Sequence, residues 1–219
     1  LVALEGERFD AHDFLAQARE RGAAGAVVSR LVDDSLPQIL VPDTRLALGL
    51  LARAHRLAWK GQVIAVTGNS GKTTVKEMLA TILPARAPTL ATRGNLNNDI
   101  GAPLTLLELK PEQRYAAIEL GANHLGEIAW TTALARPQVA IITNVTGAHV
   151  GEFGGLGQIA QAKGEILAGL PADGYAILDR DEHYFPVWAA LAGSAWLVDY
   201  AIDTEASVVA RDLVCDAAG

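Results

Sequence analysis

The residue types best suited to phosphate chemistry occur together in one segment of the chain, Gly68-Asn69-Ser70-Gly71-Lys72-Thr73-Thr74. An apolar run over 63–66 precedes it and predicts a buried strand, and a helical pattern follows it. Glycine lets the backbone approach an anion, while loop N–H groups and the helix N-terminus supply partial positive charge. Lys72 can reach the β- and γ-phosphates of a nucleotide, and the Thr73 hydroxyl can ligate Mg²⁺. The segment therefore predicts a site for a nucleoside triphosphate, and a plain Gly-Lys turn is the weaker alternative.

One position departs from the general form of such loops. The common pattern has a glycine five residues before the glycine that precedes the lysine, and this chain has Val66 there. The loop is therefore predicted to be a tight version between Gly68 and Gly71.

Two further candidate residues follow apolar runs that predict strands. Glu119 lies at the end of the first run, and its carboxylate is costly to bury unless a cation or hydrogen-bond donors compensate it. A Mg²⁺ ion beside ATP phosphates is one such partner, and a neighbouring lysine or arginine is the alternative. His149 follows the second run, where a neutral imidazole can ligate a metal or contact a phosphate. Taken alone, an ordinary loop histidine is the commoner case.

Lys163 and an asparagine-rich segment complete the set of candidates. Lys163 falls inside the apolar stripe of a predicted helix, whose other members are Ile159, Ile166, Leu167 and Leu170. A lysine that faces the core needs a partner or a change in its charge, and snorkelling to the sheet edge is the alternative. The segment 92–103, which includes Asn97 and Asn98, suits a loop that hydrogen-bonds a polar ligand and then caps a helix, or a plain turn.

The elements that position these residues alternate along the chain. The predicted strands are 63–67, 115–120, 139–144 and 175–179, with an extended piece near 89–92. The predicted helices are 72–83, 99–108, 126–135 and 157–170. This alternation predicts an α/β fold with a mostly parallel sheet and right-handed crossovers, flanked by helices. Ligands bind such sheets at the carboxyl ends of the strands, where the candidate residues lie.

Residues 1–60 are predicted to form a smaller α/β unit. An amphipathic helix over 10–21 is followed by short strands at 26–29 and 38–41. Asp43 or Thr44 caps a long helix that runs to Trp59, with one apolar face formed by Leu46, Leu50, Ala54 and Leu57. Residues 61–219 then form the unit that contains the phosphate-binding loop.

Composition limits the remaining possibilities. The chain has 219 residues, half of them hydrophobic, and neither a membrane-spanning run nor a secretion leader is expected from its patterns. A formal net charge of −7 argues against a nucleic-acid surface, which needs a basic face. The single cysteine, Cys215, fits a reducing compartment. We therefore expect a cytoplasmic protein without nucleic-acid partners or membrane insertion. The sequence leaves its oligomeric state open, with a monomer as the expectation.

Together these segments resemble the Mur ligase family. The resemblance rests on the phosphate-binding loop and on residues 94–107, 119–123, 126–128, 142–144 with His149, and 162–166. Residues 4–14 match the family's N-terminal domain, so that the likeness covers nearly the whole chain. The short loop with Val66 is the family's own form. The asparagine-rich segment and residues 9–14 favour the branch that adds D-alanyl-D-alanine.

The resemblance implies an ATP-dependent amide ligase of peptidoglycan synthesis. Such an enzyme phosphorylates the carboxylate of UDP-MurNAc-tripeptide, and the amine of D-alanyl-D-alanine then displaces phosphate. Lys72 would hold the β- and γ-phosphates, and Asn97 and Asn98 would lie near the muropeptide substrate.

The resemblance also implies two magnesium sites. Thr73 and Glu119 would bind one Mg²⁺ ion. The lysine that matches Lys163 is carbamylated in the family, and this carbamate would help His149 to hold a second Mg²⁺ ion.

The family pattern extends beyond both ends of this chain. Residues 1–60 would be part of the N-terminal domain, and 61–219 an incomplete ATP-binding central domain, with the C-terminal domain absent. We therefore expect the chain alone to bind nucleotide without completing ligation. Two alternatives stay open: another Mur ligase or a folylpolyglutamate synthetase, and a nucleotide-binding module without ligase chemistry.

Overall fold

The computed structural model of the chain describes residues 1–6, 9–145 and 155–214, so that His149 and Cys215 lie outside the described residues. Its strands are β1 (Glu5–Gly6), β2 (Phe9–Asp10), β3 (Ala26–Val28), β4 (Gln38–Leu40), β5 (Gln62–Thr67), β6 (Thr89–Ala91), β7 (Tyr115–Glu119), β8 (Val139–Ile142), β9 (Tyr175–Asp179), β10 (Trp196–Ala201) and β11 (Val208–Val209). Its α-helices are α1 (Leu15–Glu20), α2 (Thr44–Ala58), α3 (Lys72–Ile82), α4 (Gly101–Leu107), α5 (Glu127–Ala135), α6 (Leu156–Gly164) and α7 (Phe185–Leu191). Short 3₁₀ helices occupy Ala11–Phe14, Leu83–Ala85 and Glu165–Gly169.

A seven-stranded sheet, ordered β11-β10-β9-β8-β5-β7-β6, is the largest element of the fold. Each pair of neighbouring strands is parallel. Parallel strands need crossover connections, and the helices from α3 to α7 lie in those connections. The prediction of an α/β protein with a mostly parallel sheet flanked by helices is confirmed.

Strand β5 lies inside this sheet, between β7 and β8. It is buried from Val63 to Thr67, as expected for an apolar run that helices cover on both faces. Its register pairs Val66 with Glu119 of β7 and Thr67 with Ile142 of β8. The carboxyl ends of β7 and β8 therefore flank the loop that follows β5.

Two small sheets form near the start of the chain. Strands β1 and β2 pair antiparallel, and β3 and β4 pair parallel, with Val2 bridging to Val27 beside them. The helix predicted over 10–21 is divided into a 3₁₀ turn and α1. The division has a local cause, because the Asp10 carboxylate accepts the His12 backbone N–H at 2.9 Å and winds the first turn tightly.

The apolar face of α2 is not the face that packs. Leu46, Leu50 and Leu57 are each more than two-fifths exposed, whereas the buried residues are Thr44, Leu48, Gly49, Ala52 and Arg56. The cap at Asp43 is as predicted, since its side chain accepts the Leu46 N–H at 2.9 Å.

Helices α4 and α5 pack against the face of α2 that carries its smallest residues. A Cβ atom on Gly49 would lie 2.5 Å from the Trp130 ring, so that only glycine permits this approach to α5. The buried Arg56 guanidinium donates to the carbonyl of Ala135 at 2.8 Å and to that of Arg136 at 3.2 Å. The close approach of Gly49 to α5 and the capping of α5 by Arg56 therefore decide the packing of α2. Within the described residues, no helix is both long enough and apolar enough to cross a membrane.

Candidate functional site

The phosphate-binding loop joins β5 to α3 through two glycines with left-handed backbone angles. Gly68 has a φ of +145° and Gly71 a φ of +76°, values that disfavour any residue with a Cβ atom. Helix α3 begins directly after Gly71, so the N–H groups of Lys72, Thr73 and Thr74 lack acceptors within the helix. These N–H groups and the helix dipole favour an anion at the loop.

The Lys72 side chain folds back over the loop. Its ammonium group donates to the carbonyl oxygens of Gly68 and Asn69, both at 2.9 Å. Burial lowers the pKa of Lys72 below the ordinary lysine value, and the nearby charge of Glu119 partly opposes this. The acceptors that hold the ammonium group are neutral, so a phosphate oxygen would be a stronger partner.

Glu119 lies at the end of β7, where it is 1% exposed. One carboxylate oxygen accepts the Thr73 hydroxyl at 3.0 Å, and the other accepts the side-chain amide of Asn97 at 2.7 Å. Both of these donors are neutral, which leaves the negative charge for a cation to compensate. Two oxygen ligands at right angles around Mg²⁺ are separated by about 3 Å, because each lies 2.0–2.1 Å from the ion. The Thr73 and Glu119 oxygens fit such a pair of ligands.

Lys163 lies near the end of α6 and is 4% exposed, so the apolar stripe in the sequence indicates its burial correctly. Burial, and after it the charge of Lys72, lower its pKa to about 8, while the charges of Glu165 and Glu127 act in the opposite direction. A buried amine with this pKa is partly neutral near pH 8, which is the form that reacts with electrophiles.

The phosphate-binding loop, the ends of two strands and α6 enclose a small cavity of about 130 Å³. It is lined by Gly68, Asn69, Lys72, Asn97, Gly121, Ala122, Asn123 and Lys163. Sites for whole drug-sized ligands are roughly 300–1,000 Å³, so this cavity has room for a phosphate group or an ion rather than for a nucleotide. The structure therefore brings Lys72, Lys163 and Asn97 together around one space.

Asn97 and Asn98, neighbours in sequence, have different surroundings. Asn97 lines the cavity and donates to Glu119. The side-chain oxygen of Asn98 instead accepts the N–H groups of Ile100 at 3.2 Å and Gly101 at 2.8 Å, where it caps α4. His149 lies outside the described residues, so its place in the second magnesium site stays a prediction.

Sequence reasoning missed two residues that contact the phosphate-binding loop directly, Thr143 and Asn144. They follow β8 and bond to the loop residues Asn69 and Ser70. The signal that identifies Glu119, a polar residue at the end of an apolar run that predicts a strand, applies to them equally.

Comparison with known protein families gives one extended match. The model of the Mur ligase middle domain matches residues 66–219. Among characterised proteins, the UDP-N-acetylmuramoyl-tripeptide–D-alanyl-D-alanine ligase of Escherichia coli strain K12 is 55% identical over 193 residues, which are 88% of this chain and 43% of that protein.

Solved structures give the same relationship. A crystal structure of MurF from Acinetobacter baumannii superposes with a TM-score of 0.92 at 46% identity, over 97% of this chain and 47% of that one. The MurF ligase from Thermotoga maritima, in complex with ADP, superposes with a TM-score of 0.85 at 31% identity, over 93% and 47% of the two chains. The chain thus spans less than half the length of these relatives. Its fold, its phosphate-binding loop and these matches show that the chain belongs to the Mur ligase family.

Proposed function

We propose that this chain is the nucleotide-binding part of an ATP-dependent ligase that adds D-alanyl-D-alanine to UDP-MurNAc-tripeptide in peptidoglycan synthesis. The observation that carries the proposal is the pairing of the Thr73 hydroxyl with the buried Glu119 carboxylate beside the phosphate-binding loop. The relative from Escherichia coli, at 55% identity, is named for this reaction, which supports these substrates over those of other family members.

In the first step, the terminal phosphoryl group passes from ATP to the peptide carboxylate. The bond from its phosphorus to the bridging oxygen of ADP breaks, and a bond to a carboxylate oxygen forms. Lys72 is the cation nearest the phosphate-binding turn, and it neutralises charge that spreads over the phosphoryl oxygens. The N–H groups in the first turn of α3 hold the remaining phosphates in line.

The second step forms the amide bond. The amine of D-alanyl-D-alanine attacks the acyl carbon, a C–N bond forms, phosphate leaves and the amine loses a proton. The segments that bring this amine to the site are expected outside residues 61–219, which we propose as the ATP-binding domain after a partial N-terminal domain over 1–60. We also propose that the protein acts as a monomer in the cytoplasm, where ATP is supplied.

The residues around the loop fit a magnesium cofactor. Thr73 and Glu119 offer hard oxygen ligands in a suitable pair, and Mg²⁺ bound there neutralises phosphate charge. We propose that Lys163 becomes a carbamate and acts with His149 as ligand for a second ion. The pKa of Lys163 is lowered to about 8, which supports carbamylation because only the neutral amine adds to CO₂. Asn97, which lines the cavity, and Asn98 are proposed to lie near the muropeptide.

Substitution of Lys72 tests the proposed function. In a version extended to the length of the relatives, Lys72→Ala should reduce ligation by at least about a hundredfold, because the transferring group loses its cation. The assay mixes ATP, UDP-MurNAc-tripeptide and D-alanyl-D-alanine, and follows phosphate release and the ligated product. Lys60→Ala is the matched control, since Lys60 is an exposed lysine before the opposite end of β5.

Three outcomes of this assay would contradict the proposal, the first two in the reaction itself and the third in nucleotide binding. One is near-normal ligation by a folded Lys72→Ala protein. Another is a wild-type protein that releases phosphate only with a different acceptor, which would indicate another Mur ligase or a folylpolyglutamate synthetase. The third, nucleotide binding without phosphate release for any acceptor, would favour a module without ligase chemistry.

A further inference from the structure

The end of β8 is bonded to the phosphate-binding loop at four points. The Asn144 backbone carbonyl accepts the Asn69 N–H at 3.0 Å. The Asn144 side-chain oxygen accepts the Ser70 N–H at 3.0 Å and the Ser70 hydroxyl at 3.1 Å. The Thr143 hydroxyl donates to the Ser70 carbonyl at 2.6 Å. The two residues therefore bond to three consecutive peptide units of the loop, Gly68–Asn69, Asn69–Ser70 and Ser70–Gly71.

Thr143 also explains why residue 68 must be glycine. A Cβ atom on Gly68 would lie 1.9 Å from the Thr143 hydroxyl oxygen, well inside contact distance. The Thr143 N–H donates to the Thr67 carbonyl at 2.9 Å, which continues the pairing of β5 with β8 up to the first residue of the loop. The loop and the end of β8 therefore have complementary shapes.

Residues 143–145 are themselves anchored from the other side. The Tyr200 hydroxyl of β10 donates to the Thr143 carbonyl at 3.4 Å. The Val145 N–H donates to the Glu182 carboxylate at 2.9 Å. The contacts to the loop are thus connected to β10 and to the segment after β9, which supplies the second layer of support that a positioning element requires.

These bonds decide which N–H groups of the loop remain for a ligand. Those of Asn69 and Ser70 donate to Asn144, so they do not point at a phosphate. Those of Lys72, Thr73 and Thr74 have no acceptor within α3. Without the contacts from β8, the Gly68–Asn69 and Asn69–Ser70 peptide units could rotate, and the two carbonyls that hold Lys72 would move with them.

We propose that Thr143 and Asn144 are positioning residues for ATP binding, which hold the phosphate-binding loop so that Lys72 and the first turn of α3 receive the triphosphate. This proposal rests on the proposed function in assigning ATP as the ligand. It requires no contact between these two side chains and the nucleotide, because they act through Asn69 and Ser70.

Thr143→Val and Thr143→Ser form the central test. Valine keeps the shape and removes the hydroxyl, whereas serine keeps the hydroxyl. Calorimetric titration of the 219-residue chain with Mg²⁺ and a non-hydrolysable ATP analogue should show about tenfold weaker binding for Thr143→Val. Thr143→Ser should remain within about twofold of wild type, because the hydrogen bond to Ser70 is preserved. Asn144→Ala, which frees the Ser70 N–H, should weaken binding at least as much as Thr143→Val.

Thr131→Val is the control for a general loss of stability. Thr131 is even more buried than Thr143, at 0% against 9% exposed, but its hydroxyl donates within its own helix, to the Glu127 carbonyl at 3.0 Å. This variant should unfold at a lower temperature and bind the analogue with wild-type affinity. In the extended version, Thr143→Val should raise KM for ATP and leave KM for the two other substrates unchanged, a selectivity that partial unfolding cannot produce.

Wild-type affinity in both Thr143→Val and Asn144→Ala would overturn the positioning role. So would a Thr143→Ser protein as weak as Thr143→Val, because the hydroxyl would then be irrelevant. If the wild-type chain binds the analogue but the extended wild-type protein forms no ligated product, the proposed reaction fails while the titrations still decide the positioning role. If wild type does not bind the analogue at all, both proposals fail.

Discussion

Two lysines of the site have pKa values below the ordinary range for the same physical reason, removal from water. Burial is the largest cause for Lys72 and for Lys163, and the charge of Lys72 adds to the effect on Lys163. Both lysines line one small cavity. A phosphate in that cavity would favour the charged form of Lys72, whereas Lys163 can reach the neutral form that carbamylation requires.

Lys163 should be carbamylated as the pH rises through about 8. Below that pH the amine is protonated and unreactive, and above it the neutral form reacts, whereas an ordinary lysine stays protonated up to about pH 10.4. Carbon-13 NMR of the chain in labelled bicarbonate should show a carbamate resonance that depends on Lys163 and grows with a midpoint near this pH. In the extended version, Lys163→Ala should be severely impaired, with partial rescue by added formate or acetate.

Lys163→Arg is the matched variant for this experiment, because arginine retains a positive charge but cannot form the carbamate. We expect it to lack the resonance and to be as impaired as Lys163→Ala. Full activity of Lys163→Arg, or an unchanged resonance in its spectrum, would exclude the carbamate.

Among the elements, β5 carries the loop of the site, and α2 supports two helices that pack on the sheet. β5 places the loop between the ends of β7 and β8, so that Glu119 and Thr143 reach it from either side. α2 supports the helices behind the sheet through its small residues and through Arg56, which caps the end of α5. The packing of α2 therefore depends more on the close approach of its small residues to α5 than on its exposed leucines.

Gly49→Ala should destabilise the fold. The new Cβ atom would lie 2.5 Å from the Trp130 ring and 3.2 Å from the Leu134 side chain, so α2 and α5 would have to separate. We expect a loss of about 1–3 kcal/mol in the free energy of unfolding, measured by urea denaturation. Gly157→Ala is the control, because a Cβ atom there meets no atom within 4 Å and should be neutral or up to about 1 kcal/mol stabilising. Equal effects of the two substitutions would contradict this account of the packing.

Among the described residues, three apolar clusters form the core, and the smallest consists of Ile159 and Ala162. Of the other two, the smaller consists of Ala3, Leu15, Ala26, Val28 and Leu36. The larger cluster surrounds the seven-stranded sheet and includes Ala52 of α2 and Trp59 directly after it. Helix α2 thus contributes to the core of the sheet although it precedes residue 60, and the division of the chain at that residue stays a prediction.

Nucleotide should stabilise the whole chain only when magnesium is present. A ligand at a hundred times its Kd adds about 2.7 kcal/mol to the free energy of unfolding, which raises Tm by roughly 5–10 °C for a chain of this size. Differential scanning calorimetry with ATP and Mg²⁺ should show this increase. Chelation of the metal should remove most of it, because Thr73 and Glu119 then lack the ion that joins them to the phosphates. An equal increase in Tm with and without chelator would contradict the magnesium site, and an equal increase in Lys72→Ala would contradict the role of that lysine.

The sequence by itself determined the features that depend on neighbouring residues. The strand, the glycine-shaped turn and the helix around Lys72 follow from local periodicity and turn chemistry, and the burial of Lys163 follows from its position in a helical stripe. The sheet class follows from the alternation of strands and helices.

Only the tertiary structure decided how distant segments meet. The order of the strands brings Glu119 within 3.0 Å of the Thr73 hydroxyl, and it places Thr143 and Asn144 against the loop. The sequence patterns also assign no element after residue 179, where the structure has α7, β10 and β11. Short elements contain too few residues to show a clear periodicity. Strand partners depend on packing between residues far apart in the chain, so a local sequence pattern does not predict them.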